Sequence, residues 1–109
     1  MRIKFSRINL NDKDTINNLC EYIGTNVGLN VIELSWCQLK ADNLLRLAET
    51  MAANPYSIRM VNFSYNNLNI NSKSKEINES QNSITFIAKF LEFVKNSEAL
   101  NHVDFSGLF

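Results

Sequence analysis

The sequence predicts an α/β fold built from stacked strand–helix units, in a single domain that spans residues 1–109. One observation is an apolar signature, with large apolar residues at relative positions 1, 4 and 6, which occurs four times. Its copies are Phe5-x-x-Ile8-x-Leu10, Leu29-x-x-Ile32-x-Leu34, Ile58-x-x-Val61-x-Phe63 and Leu100-x-x-Val103-x-Phe105. The other observation is a stretch with helical spacing in each of the three intervals. Such recurrence indicates stacked units rather than one core around a catalytic pocket.

Each signature segment predicts a strand, because it is short and rich in alternating apolar residues. Strands joined through a helix cannot form tight hairpins, so we expect them to lie parallel, with the helices covering one side of the sheet. The other side stays open. This asymmetry bends the stack into an arc with the strands inside and the helices outside.

The first two helices follow from apolar stripes. Ile16, Leu19, Cys20 and Ile23 recur at spacings of three and four, and Asp14 is the predicted N-cap of their helix. A second helix is predicted over 41–53 and ends at Asn54-Pro55, because proline disfavours helical geometry in the residue before it. Its predicted buried side comprises Leu44, Leu45, Leu47, Ala48 and Met51.

The third helix is predicted over 83–94, with Ser83 as its cap. Its predicted buried stripe includes Ile87, Phe90, Leu91 and Val94, and the shared face of Phe86, Phe90 and Phe93 is expected in the core. The preceding segment 72–82 has one apolar residue, which predicts a mobile loop. It is either a tolerated insertion or a recognition loop.

Composition argues against several function classes. Eleven basic and eleven acidic residues cancel, which disfavours nucleic acid and anionic membranes as partners. No apolar run resembles a signal peptide or a membrane span, and two cysteines fit a reduced compartment, so a soluble cytoplasmic protein is expected. Gly24, Gly28 and Gly107 form no phosphate-binding motif. The cysteines and the lone His102 lack zinc-site spacing, so neither enzymatic activity nor a cofactor or metal is expected.

Two segments carry a family resemblance. Leu29-x-x-Ile32-x-Leu34-x-x-Cys37-x-Leu39 and Ile58-x-x-Val61-x-Phe63-x-x-Asn66-x-Leu68 resemble the leucine-rich-repeat consensus LxxLxLxx(N/C)xL. A helix in each unit and a period of roughly 28 residues are similar to the ribonuclease-inhibitor-like subclass. The resemblance implies a right-handed β–α superhelix of about three and a half repeats, with parallel strands on the concave side and helices on the convex side. It also implies that the ninth-position side chain bonds to backbone where the chain leaves the strand.

The two ends depart from this consensus. The first repeat places Lys13 at the ninth position and Thr15 at the eleventh, which is typical of a degenerate N-terminal capping repeat. After Leu100 to Phe105 no further helix follows, so the last strand leaves an unpaired edge. Three possibilities stay open: a fragment of a longer repeat protein, a short monomer, or a weak homodimer through the C-terminal edge strand.

The resemblance places positions 3, 5, 7 and 8 outward, on or beside the concave side. Position 5 gives the row Asn9, Glu33, Asn62 and Asp104; position 3 gives Arg7, Val31, Met60 and His102; position 8 gives Asp12, Trp36, Tyr65 and Gly107. The predicted partner-binding site is Glu33, Trp36, Met60, Asn62, Tyr65, His102 and Asp104. Trp36 and Tyr65 are of the type found at interface hot spots, or alternatively they only cover the loops that leave the strands.

The expected function is non-enzymatic binding of a protein partner through the concave face. Short irregular repeats, the lack of an export signal and a high asparagine content also resemble effectors that intracellular bacteria deliver into host cells. A second alternative is a structural protein that self-assembles through its C-terminal strand. The sequence names no partner, because repeat architecture specifies a surface and leaves its ligand open.

Overall fold

A computed structural model describes residues 1–55, 57–68 and 77–108. Strands and helices alternate along these ranges: β1 Arg2–Ser6, α1 Lys13–Thr25, β2 Val31–Ser35, α2 Ala41–Ala53, β3 Met60–Asn62, α3 Ile77–Asn96 and β4 His102–Asp104. The strands form one sheet in the order β1-β2-β3-β4, and every neighbouring pair is parallel. The predicted α/β class and parallel sheet are therefore confirmed.

The core lies between one face of the sheet and the helices. Alternate strand residues such as Ile32 and Leu34 are fully buried on that face, where they join helix residues such as Leu47 in one apolar cluster. Side chains alternate along a strand, so Glu33 and Ser35 lie on the opposite face. We call that opposite side, which carries Glu33 and its neighbours in register, the open face.

The first strand differs from its prediction. It runs over Arg2–Ser6 rather than from Phe5 to Leu10, and it pairs Ile3 with Ile32 and Phe5 with Leu34. The first unit therefore begins five residues earlier than its apolar signature suggested. The reason is burial: Ile3 and Leu10 occupy the core, whereas Phe5 and Ile8 are exposed at this end of the sheet.

Helix α1 confirms the first helical segment but corrects its cap. The N-cap is Asp12, whose Oδ2 accepts hydrogen bonds from the Thr15 backbone N–H at 3.1 Å and the Thr15 hydroxyl at 3.0 Å. Asp14, the predicted cap, lies inside the first turn, where its negative charge still favours the helix dipole. Ile16, Cys20 and Ile23 are buried as predicted, and the partly buried Leu19 packs against them.

Helix α2 has the predicted bounds, Ala41–Ala53. Leu44, Leu47, Ala48 and Met51 are buried, and Leu45 is partly buried against the core. At its start, Asn43 Oδ1 accepts a 3.0 Å hydrogen bond from the Lys40 backbone N–H, which satisfies a group that the first turn leaves without a helical partner.

Helix α3 starts earlier than predicted. It spans Ile77–Asn96, so residues 77–82 of the expected 72–82 loop are helical, while residues 72–76 lie outside the described ranges. Ser83 is therefore not a cap. It lies buried within the helix, and its hydroxyl donates a 2.6 Å hydrogen bond to the Leu68 carbonyl, tying α3 to the exit of β3.

The predicted burial of α3 is confirmed for its phenylalanines and is wrong for two of its aliphatic residues. Phe86, Phe90 and Phe93 are buried, as predicted. Leu91 and Val94, which were expected in the buried stripe, are exposed. The three phenylalanines occupy the helix face that packs against the sheet. Because an α-helix turns about 100° per residue, Leu91 and Val94 lie on the adjacent side of the helix, outside that face.

Candidate functional site

The central row of the open face forms largely as predicted. The strand register places Glu33 opposite Asn62 and Asn62 opposite Asp104. Its first member is Lys4 rather than Asn9, because β1 is five residues earlier, and the Lys4 ammonium lies 3.8 Å from a Glu33 carboxylate oxygen. The row therefore runs from basic at β1 to acidic at β4.

A second row lies two positions earlier in each strand. Met60 stands opposite His102, as predicted, while Val31 stands opposite Arg2 instead of Arg7. Val31 is buried, Met60 is half-buried and His102 is exposed. The row is apolar in its middle and polar at both ends.

Two members of the central row also fix the strand exits. Asn62 Oδ1 accepts a 2.9 Å hydrogen bond from the Ser64 backbone N–H, and Asp104 Oδ1 accepts one of the same length from Ser106. The hydrogen bonds from Ser106 lower the pKa of the Asp104 carboxyl, with a smaller contribution from nearby His102. These side chains therefore organise the backbone in addition to facing the open side.

The aromatic pair lies where the strands end. The rings of Trp36 and Tyr65 stack with centroids 4.5 Å apart and planes 12° apart, and each side chain is 47% exposed. The corresponding residue after β1 is Arg7, not Asp12, and its guanidinium carbon lies 5.4 Å from the centre of the Trp36 ring. A guanidinium, an indole and a phenol thus follow one another across three strand exits.

Gly107 completes this series after β4. A Cβ on Gly107 would lie 2.4 Å from Tyr65 Cδ1 and 2.7 Å from Tyr65 Cε1, so the Tyr65 ring rests directly on the glycine backbone. We call Arg7, Trp36, Tyr65 and Gly107 the exit stack. Its four members occupy the same position in their respective units.

The backbone explains why the exit stack is regular. Arg7, Trp36, Tyr65 and Gly107 all have positive φ angles, of 60°, 55°, 59° and 67°. A left-handed conformation costs a residue with a side chain roughly 1–2 kcal/mol. Three of these residues also hydrogen-bond to the next segment: Arg7 N–H donates to the Ser35 carbonyl at 3.3 Å, Trp36 N–H to the Ser64 carbonyl at 3.2 Å, and Tyr65 N–H to the Ser106 carbonyl at 2.8 Å.

The exit stack limits what these rings can bind. Trp36 lies between Arg7 and Tyr65, and Tyr65 lies between Trp36 and Gly107, so the ring faces are covered. A nucleobase or sugar that stacks on an aromatic face would compete with Arg7 or Tyr65 for the Trp36 ring. The two rings line a shallow cleft of about 260 Å³ together with Arg7 and Gln38. Edges with N–H and O–H groups suit an apolar contact with adjacent hydrogen bonds.

Two ninth-position side chains, those of Asn66 and Cys37, contact backbone groups as expected. Asn66 Oδ1 accepts from the N–H groups of Cys37 and Leu39, both at 3.0 Å, and Asn66 Nδ2 donates to the Leu34 carbonyl at 2.6 Å. The Cys37 thiol lies 3.6 Å from the Phe5 carbonyl oxygen. Burial raises the pKa of the Cys37 thiol, which keeps it protonated at neutral pH.

The residues that the sequence reasoning missed are Arg2, Lys4 and the stacking role of Arg7. A signal for them was present in the sequence. A serine follows the last inward apolar residue of every unit, at Ser6, Ser35, Ser64 and Ser106, with intervals of 29, 29 and 42 residues. Aligning on these serines instead of on apolar residues alone places Arg2, Lys4 and Arg7 in the correct rows.

Comparisons of the chain with known protein families, with curated proteins and with solved structures found no match. No helix within residues 1–55, 57–68 and 77–108 is both long and apolar enough to cross a lipid bilayer. Over the same described ranges, no three His, Cys, Asp or Glu residues are grouped so that they could hold a metal ion.

Proposed function

We propose that this chain is a leucine-rich-repeat arc of the ribonuclease-inhibitor-like kind, which binds a protein partner through its open face and has no enzymatic activity of its own. The repeated exit geometry and the backbone bonds of Asn66 support the repeat assignment. A surface of registered strands offers a partner rows of side chains at regular spacing, about 4.8 Å apart.

The observation that carries the proposal is the exit stack. Trp36 and Tyr65 are half exposed and yet fixed by neighbours on both sides. A side chain that is already ordered loses little conformational entropy on binding, and such rigid aromatic residues are typical hot spots. The stack therefore serves as the apolar anchor of the proposed interface.

The polar rows beside the stack give the interface its specificity. Glu33, Asn62, His102 and Asp104 present charged and hydrogen-bonding groups, and Met60 adds an adaptable apolar surface between them. Charged groups around an apolar anchor contribute more to partner choice and association rate than to affinity. A partner with a basic segment fits the acidic β4 side of this surface.

The proposal is tested with the variant Trp36→Gly/Tyr65→Gly. Glycine removes both rings and adopts the left-handed backbone at no steric cost, so loss of binding does not follow from new backbone strain. The matched control is Val27→Ser, which removes a 91% exposed apolar side chain between α1 and β2. Wild type and both variants are used to capture proteins from a cell lysate, and a captured partner is then titrated.

We expect the double variant to bind the partner about 30-fold more weakly, which corresponds to roughly 2 kcal/mol for a pair of hot-spot residues. Val27→Ser should bind as wild type does, and urea unfolding should show that all three proteins are folded. Equal affinity of wild type and the double variant would refute the proposed anchor and leave Trp36 and Tyr65 a structural role at the strand exits.

A further inference from the structure

Among the described residues, the sheet has two uncovered ends, and the β1 end is a cleft. About 530 Å³ of open space lies between β1 and α1. Its lining includes the apolar Phe5, Leu19 and Tyr22 and the basic Arg2 and Lys4. None of the elements in residues 1–55, 57–68 and 77–108 pairs with the outer edge of β1. This end therefore combines apolar and basic side chains.

The β4 end is apolar and bears one carboxylate on its strand. Val103 is 39% exposed although it is in register with the buried Val61. Helix α3 adds a second apolar stripe beside its buried one, made of Ile84, Ile87, Leu91 and Val94 at spacings of three and four; Leu91 is 62% exposed. Apolar area grouped in this way marks an interaction surface.

We propose that the β1 end of one copy of this chain docks on the β4 end of a second copy, so that the parallel sheet continues from one molecule into the next. This assembly differs from the proposed partner binding because it joins the two ends of the sheet. Trp36 and Tyr65 stay exposed in it, whereas Asp104 and His102 of the open face lie at the contact.

The backbone groups of the two edges match in register. In a parallel strand, every second residue hydrogen-bonds through its backbone to the same neighbouring strand, and the residues between them direct their N–H and C=O groups to the other side. On β4, the Asp104 carbonyl accepts from the Phe63 N–H, and the His102 N–H donates to the Arg59 carbonyl. The backbone N–H and C=O of Val103 therefore point away from β3. On β1, the Met1 carbonyl accepts from the Val31 N–H, so the backbone N–H and C=O groups of Arg2 and Lys4 point away from β2.

These outward groups are those that the next strand of the sheet would use. If the second copy continues the observed register, Ile3 stands opposite Val103, and the Val103 groups then meet those of Arg2 and Lys4. A shift by one residue would turn the apolar side chains of β1 to the open face, so this register is favoured over its neighbours.

The side chains agree with the same register. Lys4 comes to lie beside Asp104 of the other copy, as it lies beside Glu33 within its own chain. Ile3 meets Val103 and Phe5 meets Phe105, which continues the two apolar rows of the core. The less favourable neighbours are Arg2 and His102, which come to stand opposite each other in this register.

The contact joins two different surfaces and is therefore heterologous, so it can propagate into chains of copies rather than stop at a dimer. Sedimentation velocity of the 109-residue protein at low salt, up to concentrations of about 1 mM, measures the average mass under conditions that populate weak interfaces. We expect that mass to rise at least twofold over the concentration range. A constant monomer mass up to the highest concentration would overturn the proposal.

Val103→Pro tests the backbone contact. Proline removes an N–H that points away from β3, so the variant keeps its internal sheet and should stay monomeric at all concentrations. Circular dichroism verifies its fold, and Val27→Ser is again the control that should associate as wild type does. Association of a folded Val103→Pro variant at wild-type strength would contradict the proposed edge.

A charge exchange tests the register. Circular dichroism first verifies that both variants are folded, because Lys4→Glu removes the ion pair with Glu33 and Asp104→Lys removes the acceptor of the Ser106 N–H. Lys4→Glu and Asp104→Lys should each be monomeric alone, because like charges then meet at the contact. Mixed in equal amounts they should associate, because every contact between the two variants again joins opposite charges. A mixture that stays monomeric while wild type associates would show that Lys4 and Asp104 do not meet.

Discussion

Replacing Gly107 with alanine should destabilise the protein through two separable effects. The positive φ of 67° costs alanine about 1–2 kcal/mol. The new Cβ would also lie 2.4 Å from Tyr65 Cδ1, which forces the ring away from Trp36 and forfeits about 0.5–1.5 kcal/mol of aromatic stacking. Alanine also lowers the conformational entropy of the unfolded chain, which offsets roughly 0.5 kcal/mol of this loss of stability. The expected net loss is about 2 kcal/mol in the free energy of unfolding.

A double-mutant cycle separates the two effects. In a Tyr65→Gly background the ring is absent, so Gly107→Ala should cost only about 1 kcal/mol, the backbone part. Urea unfolding followed by circular dichroism gives the four stabilities. The fluorescence of Trp36, the one tryptophan of the chain, reports separately whether its stacking partner has moved. An equal cost of Gly107→Ala in both backgrounds would refute the close contact between Tyr65 and Gly107.

Three further predictions concern polar groups. Asn66→Ala leaves buried backbone groups without partners, so it should lower the free energy of unfolding, measured by urea unfolding, by on the order of 3 kcal/mol. Asn66→Gln, whose side chain is longer by one methylene, should recover only part of that stability. Because the folded pKa of Asp104 is lowered, the ionised carboxylate stabilises the fold above its unfolded pKa of about 3.9. The advantage of wild type over Asp104→Asn in chemical unfolding should therefore disappear as pH falls through the folded pKa; a difference that is constant with pH would contradict this. Cys37 should react with a thiol reagent much more slowly than a free cysteine at pH 7 and at the free rate in denaturant, because its thiol is buried and its pKa is raised; rapid labelling of the folded protein would contradict its burial.

The apolar signature predicted the central strands correctly and misplaced the first one. Leu29 to Leu34 and Ile58 to Phe63 have neighbours on both sides, so their apolar positions are all buried and their spacing is reliable. At the β1 end the same pattern is ambiguous. Phe5, Ile8 and Leu10 have the right spacing by coincidence, and only Ile3 and Leu10 find a place in the core.

Helix α3 shows a different limit of sequence reasoning. Its core face was predicted from the spacing of Phe86, Phe90 and Phe93, which reflects helix geometry alone. Its start was not, because residues 77–82 are mostly polar and carry no apolar period. A buried hydroxyl, Ser83 bonded to the Leu68 carbonyl, also looks like a helix cap in sequence, since serine is common at both kinds of site.

The candidate site was predicted in its composition and not in its geometry. Trp36 and Tyr65 were placed at equivalent positions, but their stacking depends on the left-handed backbone and on the distance between strands. Arg7 and Gly107 complete the stack from strands at opposite edges of the sheet. Whether this surface binds a protein partner stays a prediction that the glycine variants test.

The sequence by itself determined the alternation of strands and helices, the parallel sheet and the inward face of the central units, because these follow from the periods of two and 3.6 residues at which side chains recur. Only the tertiary structure decided the frame of β1, the partners of Lys4 and Arg7, and the covering of the aromatic faces. Those features depend on which residues meet across neighbouring strands, and a local period contains no information about register between strands.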